Sequence, residues 1–315
     1  MRYHHSITES AELCGWSAAF AVMAISVVMV NTLTLITFIK TKFLLTRKHV
    51  IIINITIADL LFGAAGLSSG MLYLLKPSEF SFFLLRATIG FTKMSTLIST
   101  GVLAVERMCA IGFPLRHKVL TNRVYKVTLI FIWIISAVNT IMVTLYWADV
   151  WGHILMASGG SLLFSTGVVF VVVFCHVIIW ILFRRSNRRH RLPSNPRDKA
   201  LAITLLYITS AFIITWVPLT LYLSIAHVCK SCVKPTQEER ISFGILLALG
   251  IQSLINTVIY CFRLQGFMVS LKAQVKKIKC LKKEASSEKA PKRKTTVHPE
   301  ELDFCAVIPP QEIKN

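Results

Sequence analysis

Residues 50–75 read VIIINITIADLLFGAAGLSSGMLYLL, with one charged side chain, Asp59, near the middle. A bilayer core of about 30 Å needs roughly 20 apolar residues in a helix, so this run is long enough to cross. It does not alternate polar with apolar, which excludes a barrel strand. Backbone groups in hydrocarbon must be paired within the segment, which makes the run a helix. Six similar runs lie outward from it, at 16–39, 82–111, 127–147, 161–183, 201–228 and 241–262. The third span of the chain, 82–111, carries Arg86, Lys93, Glu106 and Arg107; the other five carry no charge, and Arg240 stands at the margin of the last. The expected fold is an all-α membrane protein, a seven-transmembrane helix bundle.

Composition agrees. The chain of 315 residues is 54% hydrophobic and 16% charged, a balance that disfavours a soluble domain. Its net charge of +20 would suggest nucleic acid in a soluble protein. Here the basic residues lie between apolar runs, so lipid headgroups are the expected partner and nucleic acid is not. Segments 40–49, 112–126, 184–200 and 263–315 hold four, four, seven and twelve Lys and Arg, whereas 1–15, 76–81, 148–160 and 229–240 together hold five. The bias places the N-terminus outside and the C-terminus in the cytoplasm, as in a multi-pass plasma-membrane protein. The opening MRYHHSITES lacks the basic-then-apolar order of a cleavable signal, so the first span is expected to anchor itself. The one Asn-x-Thr match, Asn54-Ile-Thr, falls inside a span.

The expected organisation is an outer segment 1–15, the bundle 16–262, a surface helix 263–279 and a disordered basic tail 280–315. In the surface helix Leu264, Phe267, Leu271 and Val275 recur at helical spacing among lysines, which suits a helix lying on the inner membrane face. Cys280 ends it and is a palmitoylation candidate; a free cytosolic thiol is the equal alternative.

Polar residues within spans are costly and usually functional. Here they fall at particular places, with the residues around them: Asn31; Asn54 with Asp59; Glu106-Arg107-Met108 followed by Pro114-Leu115; Trp133; Phe212-x-x-x-Trp216-Val-Pro218; and Asn256-Thr-Val-Ile-Tyr260, with Phe267 beyond. In this order and on these spans they resemble the motifs of the rhodopsin-like (class A) G-protein-coupled receptors, over about residues 16–280. The resemblance implies a receptor, not an enzyme, with a heterotrimeric G protein and an extracellular ligand as partners. It implies an ionic lock at Glu106 and Arg107, and an activation switch of Phe212, Trp216, Pro218, Asn256 and Tyr260. It also implies a possible sodium ion among Asp59, Thr96, Ser253 and Asn256, and no other cofactor. Each has a plainer alternative. Arg107 snorkels to headgroups, Trp216 only packs beside the helix kink expected at Pro218, and Asp59 is neutral with satisfied hydrogen bonds.

The chain also departs from that family. The usual outer Cys of span three is absent; 25 residues before Arg107 stands Phe82, and 148–160 holds no Cys. Span five has no Pro, Thr257 stands where span seven usually has Pro, and Met108 replaces Tyr. The missing Cys, the Pro-free span five and the short second outer loop, 148–160, together resemble the melanocortin–adenosine–cannabinoid branch. Cys229 and Cys232, with Cys14, are the disulfide candidates of an oxidising exterior; a redox or zinc Cys-x-x-Cys is the competing reading.

By the same resemblance, an amine receptor would carry Asp at Ile89, an opsin Lys at Gly250, an adenosine receptor Asn at Leu223, and a melanocortin receptor acids at Ser69, Phe82 and Arg86. None does. The expected pocket is Arg86, Ile89, Thr92, Lys93, Leu219, Thr220, Leu223 and Leu246. Arg86 and Lys93 are seven residues apart and share a helix face. Two readings stay open: both bind an anionic, lipid-like ligand, or Lys93 reaches Asp59 and replaces the sodium ion. The rivals are a receptor-like protein that does not signal, a transporter, for which no internal repeat is visible, and a membrane enzyme, for which no nucleophile–base pair is visible.

Overall fold

The computed structural model describes residues 7–40, 49–74, 79–147, 155–188, 210–222, 235–263 and 267–273, with positions 207, 224, 225, 229 and 276. In chain order the helices are α1 (Ile7–Lys40), α2 (Val50–Leu74), α3 (Glu79–Gly112), α4 (Pro114–Val119), α5 (Asn122–Trp147) and α6 (Leu155–Arg188). After them come α7 (Ser210–Tyr222), α8 (Pro235–Arg263) and a short α9 at 267–273. No strand occurs among the described residues. Helices α1, α2, α3, α5 and α6 are each long and apolar enough to cross a membrane, and α7 and α8 contain the shorter apolar helices Ser210–Tyr222 and Gly244–Ile259.

These helices keep their polar atoms to themselves. The hydroxyls of Thr34, Thr37, Thr56 and Ser136 each donate to the carbonyl four residues earlier, at Val30, Leu33, Ile52 and Ile132. Such back-bonding lets Ser and Thr sit inside an apolar helix without an orphaned hydroxyl.

Helix α3 is the central strut, with α2, α5 and α6 around it and α1 reaching both α2 and α8. Its most apolar stretch is 67% buried, against 11% for that of α5 and 22% for that of α6. The outer faces of α5 and α6 carry exposed Ile130, Phe131, Ile141, Leu163 and Phe170. An apolar surface of that extent belongs in lipid, not water.

Two clusters form the core. One gathers Phe20, Met23, Phe62, Met94, Leu97, Phe212, Trp216 and Leu249; the other joins Phe38, Ile52, Ile55, Leu103, Tyr125 and Phe267. Phe267 is fully buried against the Phe38 ring, 5.3 Å between centroids. This docks α9 under the bundle, as its apolar spacing suggested.

Without hydrophobic drive between helices in lipid, close backbone approach matters more. Gly63 provides one such approach: a Cβ there would stand 2.9 Å from Val27 Cγ1 and 3.0 Å from Val28 Cγ2. Gly63→Leu is therefore expected to cost about 1–3 kcal/mol by overpacking. Thermal denaturation of the purified chain in lipid nanodiscs measures it, and an unchanged melting temperature would refute the tight α1–α2 contact.

Helix bounds exceed the expected spans. α1 starts at Ile7 instead of 16, α5 at Asn122 instead of 127, and α6 runs Leu155–Arg188 instead of 161–183. Hydropathy marks where lipid lies, whereas a helix continues until something breaks it; ITESAELC at 7–14 contains no Gly or Pro. α6 runs without a proline, and α8 is continuous through Thr257.

Candidate functional site

A polar cluster occupies the middle of the bundle. Asp59 of α2 is fully buried. Its Oδ1 accepts from Ser253 Oγ at 2.8 Å, from Thr96 Oγ1 at 3.4 Å and from Lys93 Nζ at 3.4 Å. Its Oδ2 accepts from Asn256 Nδ2 at 3.1 Å. Helices α2, α3 and α8 thus converge on one carboxylate. Lys93 is 4% exposed. Its Nζ also donates to Ser253 Oγ at 2.9 Å and to the Leu249 carbonyl at 3.2 Å, and lies 3.6 Å from the centroid of the Phe62 ring.

Further polar contacts tie the helices together apart from this cluster. Thr257 Oγ1 lies 3.5 Å from Asn31 Oδ1, linking α8 to α1 where the family usually has proline. Asn54 Nδ2 donates to Ser99 Oγ at 2.8 Å, and Trp133 Nε1 donates to Asn54 Oδ1 at 2.9 Å, which ties α2, α3 and α5 together. Trp216 Nε1 donates to Gln252 Oε1 at 3.0 Å, joining α7 to α8. Trp216 stacks on Phe212 at 5.5 Å, and both are buried. Two residues on, Pro218 has no N–H for the Ile214 carbonyl.

The expected sodium ligands do come together: Asp59, Thr96, Ser253 and Asn256 share this cluster. The Lys93 ammonium stands among them, however. Two unit charges about 4 Å apart interact by about 4 kcal/mol at an effective dielectric of 20. A sodium ion beside Nζ would meet that as repulsion, so the residues do not fit the ion while Lys93 is charged.

A second cluster lies at the end of α3 that adjoins α4. Glu106 bonds the neighbouring Arg107 through Nε. Its Oε1 meets His117 Nε2 at 2.7 Å and accepts from Tyr125 Oη at 3.1 Å. A carboxylate only accepts, so this geometry puts a proton on Nε2 of His117. Arg107 is 6% exposed, and its Nη2 is buried without a hydrogen-bond partner among the described residues. The sequence reading missed His117 and Tyr125, which reach Glu106 from separations of 11 and 19 residues. The one signal available was Pro114, since proline favours the first turn of a helix; the helix it opens, α4, carries His117 back toward α3.

The expected pocket residues divide. Ile89, Leu219 and Leu246 pack on the core cluster that holds Trp216. Thr92 and Thr220 are buried, with hydroxyls turned to carbonyls of their own helices. Arg86 is exposed on α3, whereas Lys93 Nζ donates to Asp59 of α2 and to Leu249 and Ser253 of α8. Cys229 is disulfide-bonded; Leu223, Cys232 and Cys280 lie outside the described residues, as do the side chains of Cys14 and Tyr260. Cys109 and Cys175 are free thiols.

An apolar helix bundle with a buried carboxylate at its centre and an acid–Arg pair at the end of α3 is a multi-pass membrane protein. The family described as the 7 transmembrane receptor (rhodopsin family) matches residues 30–260, and the chain belongs to that family. It is similar to an octopamine receptor beta-1R of Drosophila melanogaster, 34% identical over 83 residues, covering 26% of this chain and 16% of that one. It is also similar to a lysophosphatidic acid receptor 1-B of Xenopus laevis, 27% identical over 177 residues, covering 51% of this chain and 47% of that one. The chain thus spans about half or less of these curated relatives. The family is one of signalling receptors, not enzymes.

Proposed function

We propose that this receptor binds an extracellular ligand and activates a heterotrimeric G protein, with its N-terminus outside and its C-terminus in the cytoplasm of a plasma membrane. The observation that carries this reading is Arg107: a guanidinium buried beside Glu106, with one terminal nitrogen unspent. A charge held this way is metastable. Glu106 and Arg107 are neighbours on α3, so a turn of the Arg107 side chain, given room when the adjoining helix ends move, lets it leave Glu106 and meet a protein partner. Trp216 and Pro218 on α7, with Trp216 bonded to α8, give a route from ligand contact to outward movement of the inner end of α7, the sixth span.

For the ligand, an anionic, lipid-like molecule fits best. Ile89, Leu219 and Leu246 are apolar walls, and Arg86 offers a positive charge nearer the start of α3. One relative is by name a receptor for lysophosphatidic acid. The other is by name an octopamine receptor, but an amine would find no carboxylate at Ile89.

Constitutive cAMP and calcium output in transfected cells, wild type against Arg107→Ala at equal surface expression, tests the coupling. Output in wild type that Arg107→Ala abolishes supports it. Output that survives Arg107→Ala would refute this role for Arg107.

A further inference from the structure

We infer that Lys93 is the built-in cation of the central cluster. It balances Asp59 from within the chain, and the cluster takes up a sodium ion only when Lys93 is removed. The ammonium has three N–H groups. The structure gives them three oxygens: Ser253 Oγ at 2.9 Å, the Leu249 carbonyl at 3.2 Å and Asp59 Oδ1 at 3.4 Å. The face of Phe62 at 3.6 Å completes the surroundings, a contact that favours a cation. Hydroxyl, carbonyl and carboxylate oxygens are the ligands a hard monovalent ion would use, and here a side chain uses them.

Charge decides between the tethered and the free ion. With Lys93 the buried cluster holds one cation and one carboxylate, and both groups are nearly inaccessible, at 4% and 0% exposure. A second cation about 4 Å from Nζ would bind about a thousandfold more weakly than in its absence. The bonds also spend Lys93 structurally. From α3 it grips α2 through Asp59 and Phe62, and α8 through Ser253 and Leu249. With no N–H left over, Lys93 has no hydrogen to offer a ligand. The inference concerns the resting bundle and does not depend on G-protein coupling.

The purified full chain in nanodiscs is melted in sodium chloride and in choline chloride of equal ionic strength. Wild type is expected to melt at the same temperature in both. Lys93→Met keeps the stem and leaves Asp59, Thr96, Ser253 and Asn256 as an oxygen site. It is expected to gain a saturable, sodium-specific rise in melting temperature, which Lys93→Met/Asp59→Asn loses. Lys93→Gln, which keeps a hydrogen-bonding amide without the charge, is expected to gain the same rise and serves if Lys93→Met does not fold. A sodium-specific shift in wild type overturns the inference. So does a folded neutral variant that gains none.

Discussion

Asp59→Asn is expected to destabilise the bundle by about 3–5 kcal/mol, the usual result of removing one partner from a buried ion pair. The side chain keeps its shape, so the loss is not a packing effect. The Lys93 ammonium would remain fully enclosed with no opposite charge, and one amide oxygen would replace two carboxylate oxygens that accept from four side chains. The double variant Lys93→Met/Asp59→Asn carries no buried charge and is expected to be more stable than Asp59→Asn alone. Melting of both variants, and of Lys93→Met alone, in nanodiscs measures this. Losses that simply add would show that the pair is not coupled.

Glu106→Gln is expected to raise basal signalling about tenfold or more. A hydrogen bond to a charged group contributes about 1.5–3 kcal/mol, and each 1.4 kcal/mol moves a two-state equilibrium tenfold. Glutamine keeps the volume of Glu106 but loses the charge that holds Arg107, and it weakens the accepting position facing His117 and Tyr125. Basal cAMP or calcium at matched surface expression reads it; unchanged output would mean that Glu106 does not restrain Arg107.

Much of this was legible in the sequence because the solvent is so selective. Hydrocarbon tolerates few polar side chains, so Asn31, Asn54, Asp59, Trp133, Ser253 and Asn256 stood out as isolated letters in apolar runs; Ser253 and Asn256 meet at Asp59, Trp133 meets Asn54, and Asn31 meets Thr257. Lys93 stood out for the same reason, and the sequence left two fates for it, ligand or Asp59. Only coordinates show where a flexible four-carbon stem ends. Phe62 was invisible for the opposite reason: a phenylalanine in an apolar helix carries no signal, and nothing in the spacing says that its ring face will lie under an ammonium. Gln252 is as polar as those letters, but nothing in the spacing says that it will meet Trp216. Helix α4 escaped because six residues, PLRHKV, are too few to show a period, although they bring His117 to Glu106.

In the proposed mechanism Arg107, released from Glu106, engages a G protein. Guanine-nucleotide exchange on a panel of purified heterotrimeric G proteins, with the Glu106→Gln receptor reconstituted in lipid, tests it without knowledge of the ligand. The account predicts faster exchange than wild type on at least one G-protein class, lost when Arg107→Ala is added. Exchange no faster than wild type on every class, from folded receptor, would contradict it.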